Sequence, residues 1–292
     1  NFLFSSTIDR NKSKITGEVL SEVINGSQEF FDELKKYGIN IHYLGGETAD
    51  VGDVVRTIAV NGTMTVRWPK SKLITNDKID AGNVIVGFSS FGKAIYEKEY
   101  NSGLGSNGLT SARHDVLYKT YAAKYPETFE KASGDNVIYI GKNKLEDVVN
   151  IDGEDIAIGK LLLSPTRTYA PLLKVLLENH FEDINGVIHC SGGGQTKCMK
   201  YLPKPLRVIK DNLFDAPPIF KLIQENSGAD DREMYQVFNM GHRLEIFTNK
   251  DAANKMIDAA KQLGIEAKII GYTEASEQKE LILKGSFGEV KY

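Results

Sequence analysis

The stretch SGLGSNGLTSARHDVL, residues 102–117, decides between two folds. Its glycines Gly103, Gly105 and Gly108 spell G-x-G-x-x-G at the head of a helix-forming run, which is the spelling of a dinucleotide-binding turn. That turn works only where a strand runs straight into it and an acidic residue closes the next strand. Neither condition is met. The preceding apolar run NVIVGFSSF, Asn83–Phe91, reads as a buried strand because it is short, β-branched and bounded by glycine. A charged loop, KAIYEKEYN at 93–101, separates it from the glycines. The next apolar run, NVIYIG at 136–141, finishes at Lys142 and Lys144 instead of at an acid able to hold a ribose. Two readings of the glycines remain: a plain loop, or a seat for phosphate built from backbone N–H groups.

The rest of the chain bounds the answer further. At 292 residues it exceeds what one ordinary core needs, so two domains are expected. Hydrophobic residues make up 41% and charged residues 26%, the balance of a soluble globular protein. No apolar run approaches the roughly 20 residues that span a bilayer, and no signal peptide opens the chain, which argues against a membrane partner and for a cytoplasmic location. The 36 basic and 39 acidic side chains are interspersed without a basic block, so nothing points to nucleic acid. Cys190 and Cys198 are not spaced as a zinc or redox pair and read as packing residues of a reducing compartment. Asn1 already lies in a strand-like run, FLFSST; from this we expect upstream sequence, an incomplete N-terminal domain and a strand with an open edge.

Along the chain, Gly17–Tyr37 carries Leu20, Ile24, Phe31 and Leu34 on one face between Thr16 and Gly38, and reads as an amphipathic helix. The strand INIHYL follows, then GGETAD as a turn, then two strands predicted to form a hairpin through Asn61-Gly62. Residues 1–82 are thus expected to be the end of a first α/β domain, with 70–82 as its linker, and 83–292 a second domain. There, Ser164 and Pro165 should start a leucine-rich helix, and HRLEIFT, KIIGYT and LILKG should be strands.

Several segments carry chemistry, each with a plain structural alternative. Glu47 and Asp50 of GGETAD stand three residues apart after a strand; they are either solvated or suited to Mg²⁺, which takes a few carboxylates together with phosphate oxygens. Ser106 or Asn107 can cap the helix that follows Gly108, and the same free N–H groups can seat a phosphate. Arg113 and Arg167 are candidate phosphate or carboxylate partners, or surface and first-turn residues. His189 closes a strand beside Ser191 and the triplet Gly192, Gly193 and Gly194, where a ligand can approach the backbone, which favours proton transfer or substrate orientation over a structural role.

Five segments occur in a fixed order: GGETAD, GSNGLTSAR, SPTRTY, HCSGGG and EMYQVFNMG. In this the chain resembles the aminoimidazole ribonucleotide synthetase, or phosphoribosylformylglycinamidine cyclo-ligase, family, which shows GGETAE, SNG, PTR-x-Y, H-x-T-GGG and EMY-x-x-FN-x-G. The resemblance runs from about Asn1 to the C-terminus. It implies an α/β fold of the α+β type with two related mixed-sheet domains, and a homodimer. It also implies ATP-dependent ring closure of formylglycinamidine ribonucleotide with magnesium, in purine biosynthesis. On it, His189 and Glu47 are the expected catalytic residues, and Glu47 with Asp50 the metal ligands. Ser106, Asn107, Gly108, Arg113, Arg167, Ser191, Gly192, Gly193 and Gly194 are then expected around the substrate and its phosphate.

The chain departs from that pattern in four places. Gly105 stands where the family has the histidine of H-S-N-G, residues 93–101 are an insertion, QTKCMKYLP at 195–203 stands where the family continues toward N-x-P-R, and His242-Arg243-Leu244 replaces small and apolar residues. The family's D-G-x-G-T-K segment would lie before Asn1, so the 292 residues alone are expected not to catalyse the reaction. The alternatives are a related ATP-using enzyme of the same superfamily and a catalytically silent binding module.

Overall fold

A computed structural model describes all residues from Asn1 to Tyr292. The chain divides into two units, Asn1–Leu73 with Tyr121–Gly134, and Ile74–Thr120 with Asp135–Tyr292. The division falls inside the predicted linker, but the return of 121–134 to the first unit has no signature in the letters.

The first unit holds β1 (Phe2–Arg10), α1 (Gly17–Lys35), β2 (Ile41–Asp50) and β3 (Ile58–Thr65), with sheet order β2-β1-β3. β1 pairs parallel with β2 and antiparallel with β3. FLFSST is therefore a central strand with both neighbours in place, not an open edge. α1 buries Phe31 and Leu34 against the sheet face that carries Ile8, and Phe31 meets Phe4 edge-on with ring centroids 5.0 Å apart.

Two turns expected here do not form. GGETAD lies within β2, where Gly46 to Asp50 pair in register with Ser6 to Arg10. Asn61-Gly62 lies inside β3, facing Thr7 and Ser6 across the ladder. A type I′ hairpin requires positive φ at both central residues, and neither of these adopts it. Gly62 instead makes room for a ring: a Cβ there would sit 2.6 Å from Phe4. A glycine that signals a turn can equally mark a close approach in a strand.

In the second unit the elements are β4 (Val84–Ser89), α2 (Leu109–Val116), α3 (Thr120–Lys124, running into the first unit), β5 (Val148–Ile151), β6 (Glu154–Ala157), α4 (Ile158–Leu162), α5 (Ala170–Asn179), β7 (Gly186–His189) and α6 (Lys197–Tyr201). They continue as β8 (Leu206–Lys210), α7 (Pro218–Ser227), α8 (Asp231–Val237), β9 (His242–Thr248), α9 (Lys250–Gln262), β10 (Ala267–Ala275), β11 (Glu280–Gly285) and β12 (Gly288–Lys291). The main sheet runs β12-β11-β8-β10-β4-β9-β7, and only β8 and β11 are parallel. β4, the strand before the glycine turn, is antiparallel to both neighbours, which excludes the doubly wound dinucleotide fold on topology as well as on spelling.

All seven residues of β9 are buried, as expected for a strand covered on both faces. α9 crosses β4 and β10 with Ala252, Ala253, Met256, Ala259 and Ala260 inward, and α5 packs beside it. The leucine-rich helix starts at Ala170, not near Ser164, because 164–169 is needed elsewhere: Ser164 Oγ accepts from the Ser102 N–H, and Tyr169 Oη donates to Ser89 O. Residues 136–141 form no strand; Tyr139 takes a φ of 48°, which breaks extension, and is buried with Ile138.

Candidate functional site

The glycine turn and the glycine triplet come together in the second unit. Gly103, Gly105 and Gly108 all adopt positive φ, a backbone conformation that glycine takes without steric cost, before α2 begins. A Cβ on Gly192 would lie 3.2 Å from Asn107 Oδ1, and one on Gly105 would lie 2.7 Å from Thr166 Oγ1. The Ser106 N–H donates to Thr166 Oγ1 at 3.1 Å. Gly108 rests on Phe238, and Gly194 on the backbone oxygens of Tyr235 and Phe238, 2.5 and 2.4 Å from where a Cβ would stand. Ser106, Asn107, Gly108 and Gly192 to Gly194 thus line one cradle, and Ser191 opens the triplet turn by accepting the Gly194 N–H at its carbonyl.

The amides of Asn107, Gly108, Gly192 and Gly193 find no acceptor in the chain. Amides left without an acceptor on two neighbouring loops are donors that an anion can take.

His189 ends β7 at this place, exposed, its ring edge-on to Tyr169 with centroids 6.4 Å apart. Desolvation of its ring, reinforced by the positive charges of Arg243 and Lys197, pushes its pKa down to about 4. It is neutral at physiological pH and able to accept a proton.

Beneath the cradle lies a buried polar network that holds both loops. Asn239, of the FNMG segment, accepts from Ser90 Oγ at 2.6 Å and donates to Gly103 O at 2.8 Å. Gln195, directly after the triplet, donates to Asn239 O at 2.6 Å and His242 O at 3.2 Å. Lys210, fully buried at the end of β8, donates to Gln195 Oε1 at 2.9 Å and to Glu245 Oε1. His242 shares that carboxylate oxygen at 2.9 Å. Burial alone would raise the Glu245 carboxyl, but the Lys210 ammonium and the His242 contact override it and hold it at about 2. Burial pushes His242 down, so the neutral ring donates its Nε2–H to Glu245. Burial likewise pushes the Cys190 thiol well up and Cys198 to about 11, consistent with packing residues.

Other expected site residues have different surroundings. Arg167 is buried with its fork on Glu97, at 2.9 Å from Nε and 2.6 Å from Nη2, while Nη1 donates to Ser89 O and Phe91 O. Every nitrogen of the guanidinium has a partner within the fold, tying the inserted loop to β4 and the residues after it, an arrangement that favours a structural role over the expected phosphate contact. Arg113 lies over the Tyr139 ring, 5.7 Å from its centroid.

Glu47 and Asp50 belong to the first unit and are exposed on β2. Positions three apart on a regular strand point to opposite faces, and the ladder is regular from Glu47 to Asp50. The two carboxylates therefore lie on opposite faces of β2, an arrangement that does not pair them on one ion. Asp50 Oδ1 instead accepts from the Lys12 N–H at 3.1 Å. No three of the chain's His, Cys, Asp and Glu residues group as a metal site.

The residues missed from sequence are Thr166, Asn239, Gln195, Lys210, Arg243 and Glu245. One signal was available: HRLEIFT places three ionisable residues in a strand that must be buried on both faces, and such charges need partners.

Comparison with known proteins gives the family and the fold. Residues 80–284 match the model for the C-terminal domain of AIR synthase related proteins. The phosphoribosylformylglycinamidine cyclo-ligase of Methanococcus vannielii is 32% identical over 262 residues, covering 89% of this chain and 62% of that protein. That of Methanocaldococcus jannaschii is 31% identical over 258 residues, covering 88% and 62%. The chain therefore spans about 62% of the length of these relatives. Among solved structures, E. coli HypE, a hydrogenase maturation protein, superposes with a TM-score of 0.57 at 16% identity, covering 99% of this chain and 71% of that one. Thiamine monophosphate kinase from Aquifex aeolicus gives 0.53 at 11%, covering 99% and 74%. A HypE solved in complex with ATP gives 0.58 at 10%, covering 99% and 72%. At such identities these likenesses establish the fold alone.

Proposed function

From the premise that the chain belongs to the AIR synthase related family, we propose that it serves the ATP-dependent closure of formylglycinamidine ribonucleotide to aminoimidazole ribonucleotide in purine biosynthesis. The observation that carries this reading is the close approach of two glycine loops far apart in sequence, Ser106 to Gly108 and Ser191 to Gly194, through Asn107 and Gly192 and over the shared Phe238, with His189 ending the strand that leads into the second. The cradle receives the ribonucleotide, and its amides hold a phosphate group.

ATP is the co-substrate. Its terminal phosphoryl group passes to the formyl oxygen and ADP leaves; the amidine nitrogen then attacks the activated carbon, forming the ring C–N bond as the C–O bond breaks and phosphate departs. His189, neutral and at the rim of the cradle, takes the proton that the attacking nitrogen sheds. The chain's task is positioning and charge neutralisation. Magnesium belongs to the same reading through the nucleotide, since no three of the chain's His, Cys, Asp and Glu residues group as an ion site of their own. A second copy of the chain is the proposed partner, and sedimentation velocity tests it.

The test of function is to supply the full gene product with formylglycinamidine ribonucleotide, ATP and magnesium and to follow ADP and aminoimidazole ribonucleotide. Equimolar, substrate-dependent release of both is expected. ADP release that ignores the ribonucleotide would overturn the reading. In the same assay, His189→Ala should lower kcat by roughly 10²-fold or more at unchanged thermal stability.

A further inference from the structure

The second unit buries three permanent or near-permanent cations, Arg167, Lys210 and Arg243. Two are neutralised inside the fold, Arg167 by Glu97 and Lys210 by Glu245. Arg243 is not. It is 2% exposed, and its guanidinium reaches only neutral oxygens: Nη2 donates to Gly103 O at 2.9 Å and Leu104 O at 2.6 Å, and Nη1 approaches Thr166 Oγ1 at 3.4 Å. Its Nε has no partner at all. Taking a charge out of water without a counter-charge is among the most unfavourable arrangements a core can hold. The same core pairs its other cations, so it has the means to pair this one.

The position of the guanidinium shows where its counter-charge would sit. A Cβ on Gly105 would stand 2.6 and 2.7 Å from Nη1 and Nη2, so the charge lies directly under the backbone of the Gly105–Gly108 turn. The same turn carries the unbonded amides of Asn107 and Gly108, and the loop of Gly192 and Gly193, whose amides are also unbonded, comes close to it: a Cβ on Gly192 would lie 3.2 Å from Asn107 Oδ1. The charges that bear on His189 at the same rim are both positive, Arg243 and Lys197. Arg243 reaches this place through a bulge in β9, where Ser89 pairs with His242 and Phe88 with Leu244, leaving Arg243 without a partner residue on β4 while its carbonyl accepts from the Cys190 N–H on the other side. Bulges redirect a side chain in this way.

We propose that Arg243 makes the cradle a phosphate-binding site, the bound phosphate anion being the counter-charge that the fold withholds and the amides of Asn107, Gly108 and Gly192 its hydrogen-bond donors. This deepens the reading given for the same cradle, but its test needs no turnover. A phosphate monoester can come from a ribonucleotide or from a nucleotide, and separate ligands distinguish the two.

The experiment is an NMR titration of the whole chain with inorganic phosphate, reading the His189 ring and the Arg243 Nε–H. A phosphate anion beside His189 favours its charged form, so saturating phosphate should raise its pKa by a unit or more, a tenfold or greater rise in proton affinity. The Arg243 Nε–H resonance should shift with the same saturation curve. Arg243→Gln should weaken phosphate at least tenfold, and Arg243→Lys less. A wild-type titration in which neither resonance moves at millimolar phosphate overturns the proposal, as does equal affinity in Arg243→Gln. Should that variant not fold, the wild-type Nε–H decides alone. Displacement of phosphate by ribose 5-phosphate assigns the site to the sugar phosphate, and displacement by ATP to the nucleotide. Phosphate held by Arg243 in a protein that closes no ring would leave this proposal standing and remove the cyclo-ligase reading.

Discussion

Gly45 to Asp50 of the first unit and His189 to Gln195 of the second are similar as letters, each setting glycines beside polar residues after an apolar run. In the structure they are opposites. The first continues as an exposed strand, with Glu47 and Asp50 on opposite faces and open space around Gly45. The second leaves its strand at once and is fixed from below by Gln195, Lys210, Glu245 and Asn239. What separates them is the buried polar network, since pre-organisation comes from the residues that hold a loop and not from the loop's own spelling.

The strongest way to break that contrast is to remove the network's charge balance. Glu245→Gln would leave the Lys210 ammonium buried with no counter-charge, and the second unit should lose about 3–5 kcal/mol. Chemical denaturation followed by far-UV circular dichroism measures the loss. Trp68, the single tryptophan, lies in the first unit and gives a separate probe. An unmoved Trp68 transition would show that the units unfold separately, and a matching shift that they unfold as one. Lys210→Met combined with Glu245→Leu should recover most of the loss, because two apolar side chains need no pairing. A loss under about 1 kcal/mol in Glu245→Gln would mean that the network does not carry the difference.

That network also marks the limit of what the letters disclose. Periodicity and β-branching locate β4, β9, β10, β11, α1 and α9, because in those elements local propensity and burial agree. The ordered motifs bring out Ser106 to Gly108 and Gly192 to Gly194. Asn61-Gly62 misleads because a tertiary contact, the Phe4 ring, claims the glycine. Arg167 misleads because its partner Glu97 lies 70 positions away, inside an insertion that reads as a plain charged loop. Lys210, Gln195 and Glu245 come from three different elements, and no spacing in the sequence links them.

Acid should weaken the same network by up to about 3 kcal/mol. The Glu245 carboxyl is held at about 2, below its ordinary 4.5. A group lowered in the folded state stabilises fully above the unfolded value, and that stability is lost as pH falls from 4.5 toward 2. His242 and His189 add to this earlier. Both are lowered from 6.5, His189 to about 4, so below pH 6.5 the unfolded chain takes up protons that the folded one does not. The far-UV midpoint should decline from about pH 6.5 and fall more steeply below 4.5. In Glu245→Gln the steep part should disappear; its persistence would assign acid sensitivity to other carboxylates.

A smaller effect separates the two glycine segments by shape. Gly194 has φ +46°, and an added Cβ would come within 2.4 and 2.5 Å of backbone oxygens that cannot swing away. Gly194→Ala should lose about 1–3 kcal/mol. Gly45 has φ +87° with nothing near, so Gly45→Ala should meet only the backbone term, about 1 kcal/mol. Equal losses would show that the loop after β7 yields around an added methyl, and would weaken the case for a rigid cradle.

The smallest expected effect is at Asp50, and it tests the strand register itself. Its carboxylate is exposed and accepts one N–H, from Lys12, which an asparagine oxygen can also accept. Asp50→Asn should therefore change stability by less than about 0.5 kcal/mol. Glu47 points to the other face of β2, so the two side chains should act independently in any response to magnesium. If Glu47 meets the ion that accompanies the nucleotide, Glu47→Gln raises the magnesium concentration needed for ADP formation while Asp50→Asn leaves it in place. The double variant then equals the sum of the two single ones, as expected for sites with no shared partner. Equal shifts in both single variants, with a double variant no worse than either, would mean that the carboxylates grip one ion. β2 would then have to turn at Gly45-Gly46, as its letters suggest, instead of running on as a strand.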